Sequence, residues 1–454
     1  MQSDRARAPD QLPIEDAAEA ALSAALGAGA DAADVVALSG GSDSVQVRLG
    51  AVEEIERHES HDVGLRVFVG RSSAIVSTND LARDAIATLA ARAVAIAGAA
   101  PPDPHAGLAG PSELATDWPD LDLADAARPG IDLLTEHARA AEDEARAAAD
   151  VTNSLGASAS AARSRFILLT SAGFSGGYET TRYATSCTAV AGSGTAMQRD
   201  HDYTVARHFA DLEPAALIGR RAAERAVRMV GAERMRTGPV TVVYEPRTAA
   251  SLLGHFVAAI NGRAVARRAS FLQDRMGERI FPHAITMIDD PHRPRGLNSH
   301  PFDGEGMAGR RHALADRGHL TTWLLDLASA RQLALASTGH AGRGIGSGPS
   351  PSASNLTLEP GAESPDALIA GVAHGLYVTG LIGMGVNGVT GDYSRGAEGM
   401  AIENGELTRP VSEVTIAGNL TEMFAALVAA NDLEIRTGRD APTLLVEGMT
   451  LAGS

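Results

Sequence analysis

Between residues 33 and 78 the chain alternates apolar and polar side chains with a period of two. It does so in five consecutive short runs: ADVVALS, SVQVRLG, VEEIERHES, VGLRVFVG and SSAIVST. At that spacing successive side chains leave opposite faces of a strand, so these residues suit an antiparallel meander buried on one face. Helical patterns bracket it. Residues 14–28 are Ala-rich with Glu and Asp in the first turns, and NDLARDAIATLAARAVAIA follows with Thr78 or Asn79 placed to cap it. Helix, meander and helix make one α+β unit, residues 14–100. Aromatic residues are only 4% of the chain, so its core must be filled with Ala, Val, Leu and Ile.

The Pro- and Gly-rich run GAAPPDPHAGLAGPSEL, residues 98–114, closes that unit. A second unit, 115–230, reads as a long helix around GIDLLTEHARAAEDEARAAAD, the strands SRFILLTSA, YETTRYATSCTAVAG and TAMQRDHDYTVARHF, and a helix EPAALIGRRAAERAVRMV. A second boundary falls at 231–239. The remainder, 238–454, is β-rich with a few helices. It carries a Gly- and Ser-rich segment, 339–355, whose composition predicts an exposed, mobile loop. The expected fold class is α+β: an N-terminal α/β body, its strand meander flanked by helices, and a β-rich C-terminal body.

With 454 residues the chain is too long for one core. A net charge of −17 argues against nucleic acid as a partner, because phosphates require a basic face. There is no lysine, so neither a Schiff-base nor a phosphate-loop lysine is available. The one cysteine, Cys187, can form no internal disulfide and no cysteine-based zinc site. Residues 1–20 contain charges and no apolar run, so no signal peptide is expected. The nearest approach to a membrane span, residues 367–386, has Gly371 and Gly375 at G-x-x-x-G spacing. It is interrupted by glycines and His374, and it reads as a buried passage from helix to strand. A cytoplasmic protein is expected.

Four motifs carry chemistry on paper. SGGSDS, 39–44, matches a pyrophosphate-binding loop, but VQVRLG follows where a helix is needed; a turn between two strands is expected. GFSGG, 173–177, offers Ser175 as a nucleophile, but a strand pattern follows where a nucleophile elbow requires a helix. ERHESHD offers His58 and His61, which read as a solvated strand face around a turn. The segment 287–306 gathers Asp289, Asp290, His292, His300, Asp303 and Glu305 in a loop. It suits either a hard cation or a set of Asx turns and Arg pairs.

Several longer stretches, in order, resemble the TldD/PmbA family. They are GLRVFVGRSSAIVSTNDL, GFSGGYETTRYATS with GSGTAMQRDHDY, LLGHFVAAINGRAVARRASFLQDRMGERI, DDP with FDGEG, GVNGVTGDYSRGAEG (385–399) and VSEVTIAGNLTEMF (411–424). The resemblance covers nearly the whole chain. It implies one of two branches: TldD-like chains with an H-E-x-x-x-H zinc helix and a cysteine ligand near the C-terminus, or PmbA-like (TldE) partners that lack the site. Laid on that helix, Gly254 falls at the first histidine, His255 at the glutamate and Ala259 at the second histidine. No cysteine lies near the C-terminus. The resemblance therefore implies a non-catalytic TldE-like subunit with no metal or other cofactor of its own. Its partner would be a zinc-bearing TldD-like protease, and the pair would act on small or unfolded peptides held in a shared cleft. In some bacteria that protease matures microcin-type peptides and removes an antitoxin. Alone, such a chain is expected to form a homodimer through the third unit, with His255 a capping or packing residue. The alternatives are a homodimeric binding or scaffold protein without a protease partner, and an independent hydrolase using Ser175 or the 287–306 loop.

Overall fold

The computed structural model describes residues 11–454; residues 1–10, part of the stretch read as lacking a signal peptide, lie outside the described residues. The five alternating runs form three strands, not five: β1 (Ala32–Arg48), β2 (Ala51–Val69) and β3 (Ser72–Thr78). SGGSDS is therefore not a turn. It runs through the middle of β1, with Gly40 opposite Ser60 on one side and Ser164 on the other. A central strand flanked on both sides keeps every backbone group paired, which holds Gly and Ser extended against their own weak preference. No helix begins at Asp43 or Ser44. ERHESHD likewise lies within β2 rather than around a turn, and His58 and His61 are exposed on opposite faces, as solvated residues.

Helices α1 (Ile14–Gly27) and α2 (Arg83–Ala99) cover one half of this sheet. The second sequence region continues the same sheet. After α3 (Ile131–Ala147) come β4 (Val151–Thr170), β5 (Ser175–Ala191) and β6 (Gln198–Ala206), then α4 (Ala215–Arg228). The strand order is β3-β2-β1-β4-β5-β6 and every pairing is antiparallel. Along β1, Val35 and Ala37 pack with α1 and α2, and Val45 and Val47 with α3; the intervening Val36 packs on the other face, against Phe174 and Phe302. The sheet thus has a helical face and a face that meets the C-terminal body. Helix contacts are made largely by alanine, as the low aromatic content requires. Gly219 of α4 lets α3 approach so closely that a Cβ there would stand 1.9 Å from the Ala141 carbonyl oxygen.

The C-terminal body is built on a closed five-stranded barrel. β7 (Gly238–Tyr244) pairs in parallel with the strand His374–Val386. That strand pairs with Asp392–Glu403, which pairs with Glu406–Asn419, then Leu444–Ala452, which returns to β7. Helix α5 (Pro246–Ala259) follows β7, and its Leu252, Leu253 and Phe256 join the barrel's apolar core. Residues 365–370 form a short helix and 374–386 a strand, the expected helix-to-strand passage, although the strand's distal end is exposed rather than buried. Among the described residues no helix is long and apolar enough to cross a membrane.

Candidate functional site

The two bodies meet through the motifs that carry the most glycine. Phe302, in the 287–306 loop, sits where a Cβ on Gly176 would be, 2.8 Å from its ring. Phe174 sits on Gly306 at the same distance. GFSGG and FDGEG are therefore two halves of one aromatic lock, with Trp118 edge-on to Phe302 at 4.9 Å. Ser175 is exposed and opens strand β5; no helix follows it, so the nucleophile elbow is absent.

Met287–Asp289 form a short strand rather than part of a loop, and the remainder of the 287–306 segment is a loop held by its own carboxylates. Asp289 accepts from the backbone N–H of Ser354 (2.8 Å) and its hydroxyl (2.6 Å), and lies 3.3 Å from His340 Nε2. Asp290 caps His292 in an Asx turn. Asp303 accepts from the N–H groups of Glu305, Met307 and Ala341, and Glu305 from that of Leu327. His300 and His292 face backbone carbonyls. The Asp290–His292 and Asp303–Glu305 contacts are Asx turns of the kind expected of this loop, and among the described residues no three His, Cys, Asp or Glu side chains are grouped to hold a metal ion.

The segment 339–355 departs from its expected exposure. His340, Ala341, Pro349, Pro351, Ser354 and Asn355 are buried, and only Gly346, Ser347, Ser350 and Ser352 are exposed. Gly64 of β2 lacks the side chain that would collide with Ile345, so the segment lies flat on the sheet. Its glycines serve close packing, which composition alone does not distinguish from a flexible linker.

A groove of about 620 Å³ opens between β6 and the barrel. Arg199, Asp200, His201 and Tyr203 line one side; Arg247, Thr248 and Ser251 of α5 line another; Arg395 and Glu398 complete it. Arg247 is fixed by Asp200 (3.0 Å) and Glu245 (2.5 Å). Burial raises the Glu398 carboxyl, and nearby Asp200 adds to the effect. Burial lowers the His201 imidazole, with Arg247 reinforcing it.

His255 lies on α5 one turn beyond Ser251. Its ring packs edge-on against Tyr393 at 5.8 Å, and its Nε2 is buried without a hydrogen-bond partner. Burial first, then Arg395 and Arg439, holds its imidazole below the ordinary range. Arg439 Nη1 stands 3.1 Å from where a Cβ on Gly254 would be. Ala259 is 3% exposed and belongs to the apolar core. Tetrahedral zinc requires converging anionic or neutral donors. One imidazole beside two guanidiniums does not fit it. Cys187, on β5, is buried and its thiol is pushed up to about 12 by burial. Sequence reading missed Arg395 and Arg439 as neighbours of His255. Both lie in glycine-containing stretches, SRG and GRD, but nothing in their spacing ties them to α5.

Comparison with known proteins adds a family. Residues 33–97, 117–230 and 237–453 match the models described as PmbA/TldA metallopeptidase domain 1, central domain and C-terminal domain. The Metalloprotease PmbA of Escherichia coli O157:H7 is 37% identical over 442 residues, 97% of this chain and 96% of that protein. A Haemophilus influenzae PmbA homolog is 35% identical over 444 residues, again 97% and 96%. Among solved structures, a Bacteroides thetaiotaomicron protein described as a candidate modulator of DNA gyrase superposes with a TM-score of 0.89. It is 31% identical, over 97% of this chain and 99% of that one. TldE of Thermococcus kodakarensis has the same fold, with a TM-score of 0.84 at 20% identity, over 96% of this chain and 100% of that one.

Proposed function

The chain belongs to the PmbA/TldD metallopeptidase family, and from that premise we propose that it is the non-catalytic, TldE-like subunit of a two-chain zinc metallopeptidase acting on small or unfolded peptides. The observation that supports the reading is that arginine side chains, and not further metal ligands, lie beside this face of α5. Arg439 lies beside Gly254, and among the described residues His255 belongs to no group of three His, Cys, Asp or Glu side chains placed to share an ion. The zinc would belong to a TldD-like partner in the same cytoplasm, and this chain would complete the cleft that admits extended peptides.

Support for a partner comes from the barrel hairpin between the strands His374–Val386 and Asp392–Glu403. Ile382, Met384 and Val389 at its tip are 66%, 84% and 57% exposed. Apolar side chains presented together on one hairpin favour burial against another chain. Without the partner the same surface would pair with itself about a two-fold axis.

The test is mass measurement in solution and peptidase assay, on each chain and on the pair. The expected result is a mixed dimer that cleaves unfolded peptides, with this chain inactive alone. A strict monomer that ignores the TldD-like chain, or full activity from that chain by itself, favours the reading as an independent binding protein.

A further inference from the structure

We propose that the cleft between the first sheet and the segment 297–304 is a binding site for an aromatic carboxylate, the chemistry shared by a free aromatic acid and by a peptide that ends in Phe or Tyr. The proposal goes beyond the reading of the chain as a protease subunit and does not depend on it.

The floor of the cleft follows from strand register. Leu38 of β1 lies opposite Phe166 of β4, and Phe166 opposite Tyr178 of β5, so the three side chains form one row across the sheet. Ser164 and Thr180, also opposite each other, form the next row on the same face. The segment 297–304 stands over this face without closing on it. Cavities of about 280 Å³ and about 260 Å³ remain, and Phe166, Tyr178, Asn298 and His300 line both, so they are two parts of one cleft. Small-ligand sites begin at about 300 Å³. The Phe166 and Tyr178 rings are only partly buried, with centroids 5.3 Å apart, and Phe302 stands edge-on to Tyr178 at 5.6 Å. A ligand ring laid here gains burial and contact with an aromatic surface already assembled.

Charge decides where the anion goes. Arg207, just past the end of β6, lines the first cavity with Thr180 and is half-buried, so the cleft reaches it. Its Nε donates to the Gly296 carbonyl oxygen (3.3 Å), its Nη1 to that of Thr181 (3.1 Å) and its Nη2 to that of Leu297. Those bonds hold the guanidinium in place and leave one N–H free on each Nη. Among the described residues no carboxylate oxygen lies within 4.0 Å of Arg207, or of Arg182, two residues beyond Thr180 on the same strand face. Burial, then Arg182, lowers the Arg207 guanidinium to about 10, which leaves it charged at neutral pH. In the second cavity Arg343 is already neutralised by Asp34. A carboxylate therefore gains a charge-assisted hydrogen bond at Arg207, with its ring over Phe166 and Tyr178.

The probes are N-acetylphenylalanine, its C-terminal amide, N-acetylalanine and a tetrapeptide of three glycines ending in phenylalanine, each titrated calorimetrically into the full chain. N-acetylphenylalanine should bind at least about tenfold more tightly than its amide and than N-acetylalanine. Arg207→Gln should remove most of the difference between acid and amide, and Arg207→Lys should restore part of it. Thermal melting checks that both variants fold. Ser164 is exposed, so Ser164→Trp should fold; its ring should fill the first cavity and abolish binding. Equal affinity for acid and amide overturns the proposal, as does equal affinity for the phenylalanine and alanine acids. Binding that survives Ser164→Trp also overturns it, because the ligand then lies elsewhere. The tetrapeptide separates the two sources: binding as tight as the small acid supports a peptide terminus, and binding of the small acid alone supports a free aromatic acid. These measurements use the chain alone, so failure here is distinct from failure to find a protease partner.

Discussion

Arg343 donates a hydrogen bond to Asp34 although the two residues are 309 positions apart, and their side chains are 2% and 1% exposed. Asp34 lies on β1 and also accepts from Arg66 of β2, so one buried carboxylate holds two guanidiniums. This cluster fastens the segment 339–355 to the first sheet. Burial alone would raise the Asp34 carboxyl, but Arg66 and Arg343 outweigh it and hold it below the usual range.

Asp34→Ala leaves two buried guanidiniums without a counter-charge and should destabilise the chain by about 3–5 kcal/mol in urea unfolding. Arg343→Met should cost less, because Arg66 still compensates Asp34. The pH sign follows from the depressed carboxyl. Its contribution is present above the unfolded-state value of about 4 and is lost as pH falls through the lower folded-state value. Acid unfolding of Arg343→Met should therefore begin from a lower baseline and show a shallower loss below about pH 4. An unchanged acid profile would remove Asp34 from the account.

Gly64→Ala tests the seat of the same segment. The added Cβ would lie 2.1 Å from the Ile345 carbonyl oxygen, a backbone atom that cannot turn aside. A loss of about 1–3 kcal/mol is expected, with faster proteolysis near residues 345–350. Gly27→Ala at the end of α1 is the control. A Cβ there meets nothing within 4 Å, so neutrality or a gain of up to about 1 kcal/mol is expected.

Much of this architecture was legible and some was not, for physical reasons. α1 to α4 stand out because alanine stripes at helical spacing are unambiguous even without large side chains. The first 14 residues of β4, VTNSLGASASAARS, gave no signal, because Ala, Ser and Gly on both faces erase the contrast on which alternation depends. Those residues are a strand because β1 and β5 flank them and satisfy their backbone. In the candidate site, Gly254, His255 and Ala259 could be placed on one helix from sequence. Arg395 and Arg439 could not be joined to them, since only the closed barrel and its neighbouring strands bring those distant segments together.

Glu305 should make stability fall as pH rises. Burial, reinforced by Asp303, raises its carboxyl to about 8, and burial raises Asp303 to about 6. A folded state that holds a proton the unfolded state releases is most stable below the unfolded-state value. The gain disappears as pH climbs through the folded-state value. For Glu305 the window runs from 4.5 to about 8. Glu305→Gln mimics the protonated form and can still accept from the Leu327 N–H. The variant should flatten the decline, with a gain over wild type at pH 8 of up to about 5 kcal/mol. Parallel stability–pH curves for the two proteins would show that Glu305 is ionised throughout.

The last prediction concerns metal. Purified chain, dialysed against zinc and analysed by mass spectrometry for metals, should retain well under one ion per chain. The stronger test attempts to rebuild the site with Gly254→His, His255→Glu and Ala259→His together. Three obstacles stand in the way. Any side chain at 254 meets Arg439 Nη1 at 3.1 Å from its Cβ. Position 259 is 3% exposed within the apolar core, where an imidazole overpacks neighbouring side chains at a cost of about 1–3 kcal/mol. A dication would also lie beside Arg395 and Arg439, both close enough to depress the imidazole now there. The triple variant should accordingly remain zinc-poor, and adding Arg439→Ala should raise its zinc content by relieving the first obstacle and half of the third. One tightly held zinc per chain in the triple variant with Arg439 in place would show that the guanidinium does not bar the ion, and would take away the observation on which the non-catalytic reading rests.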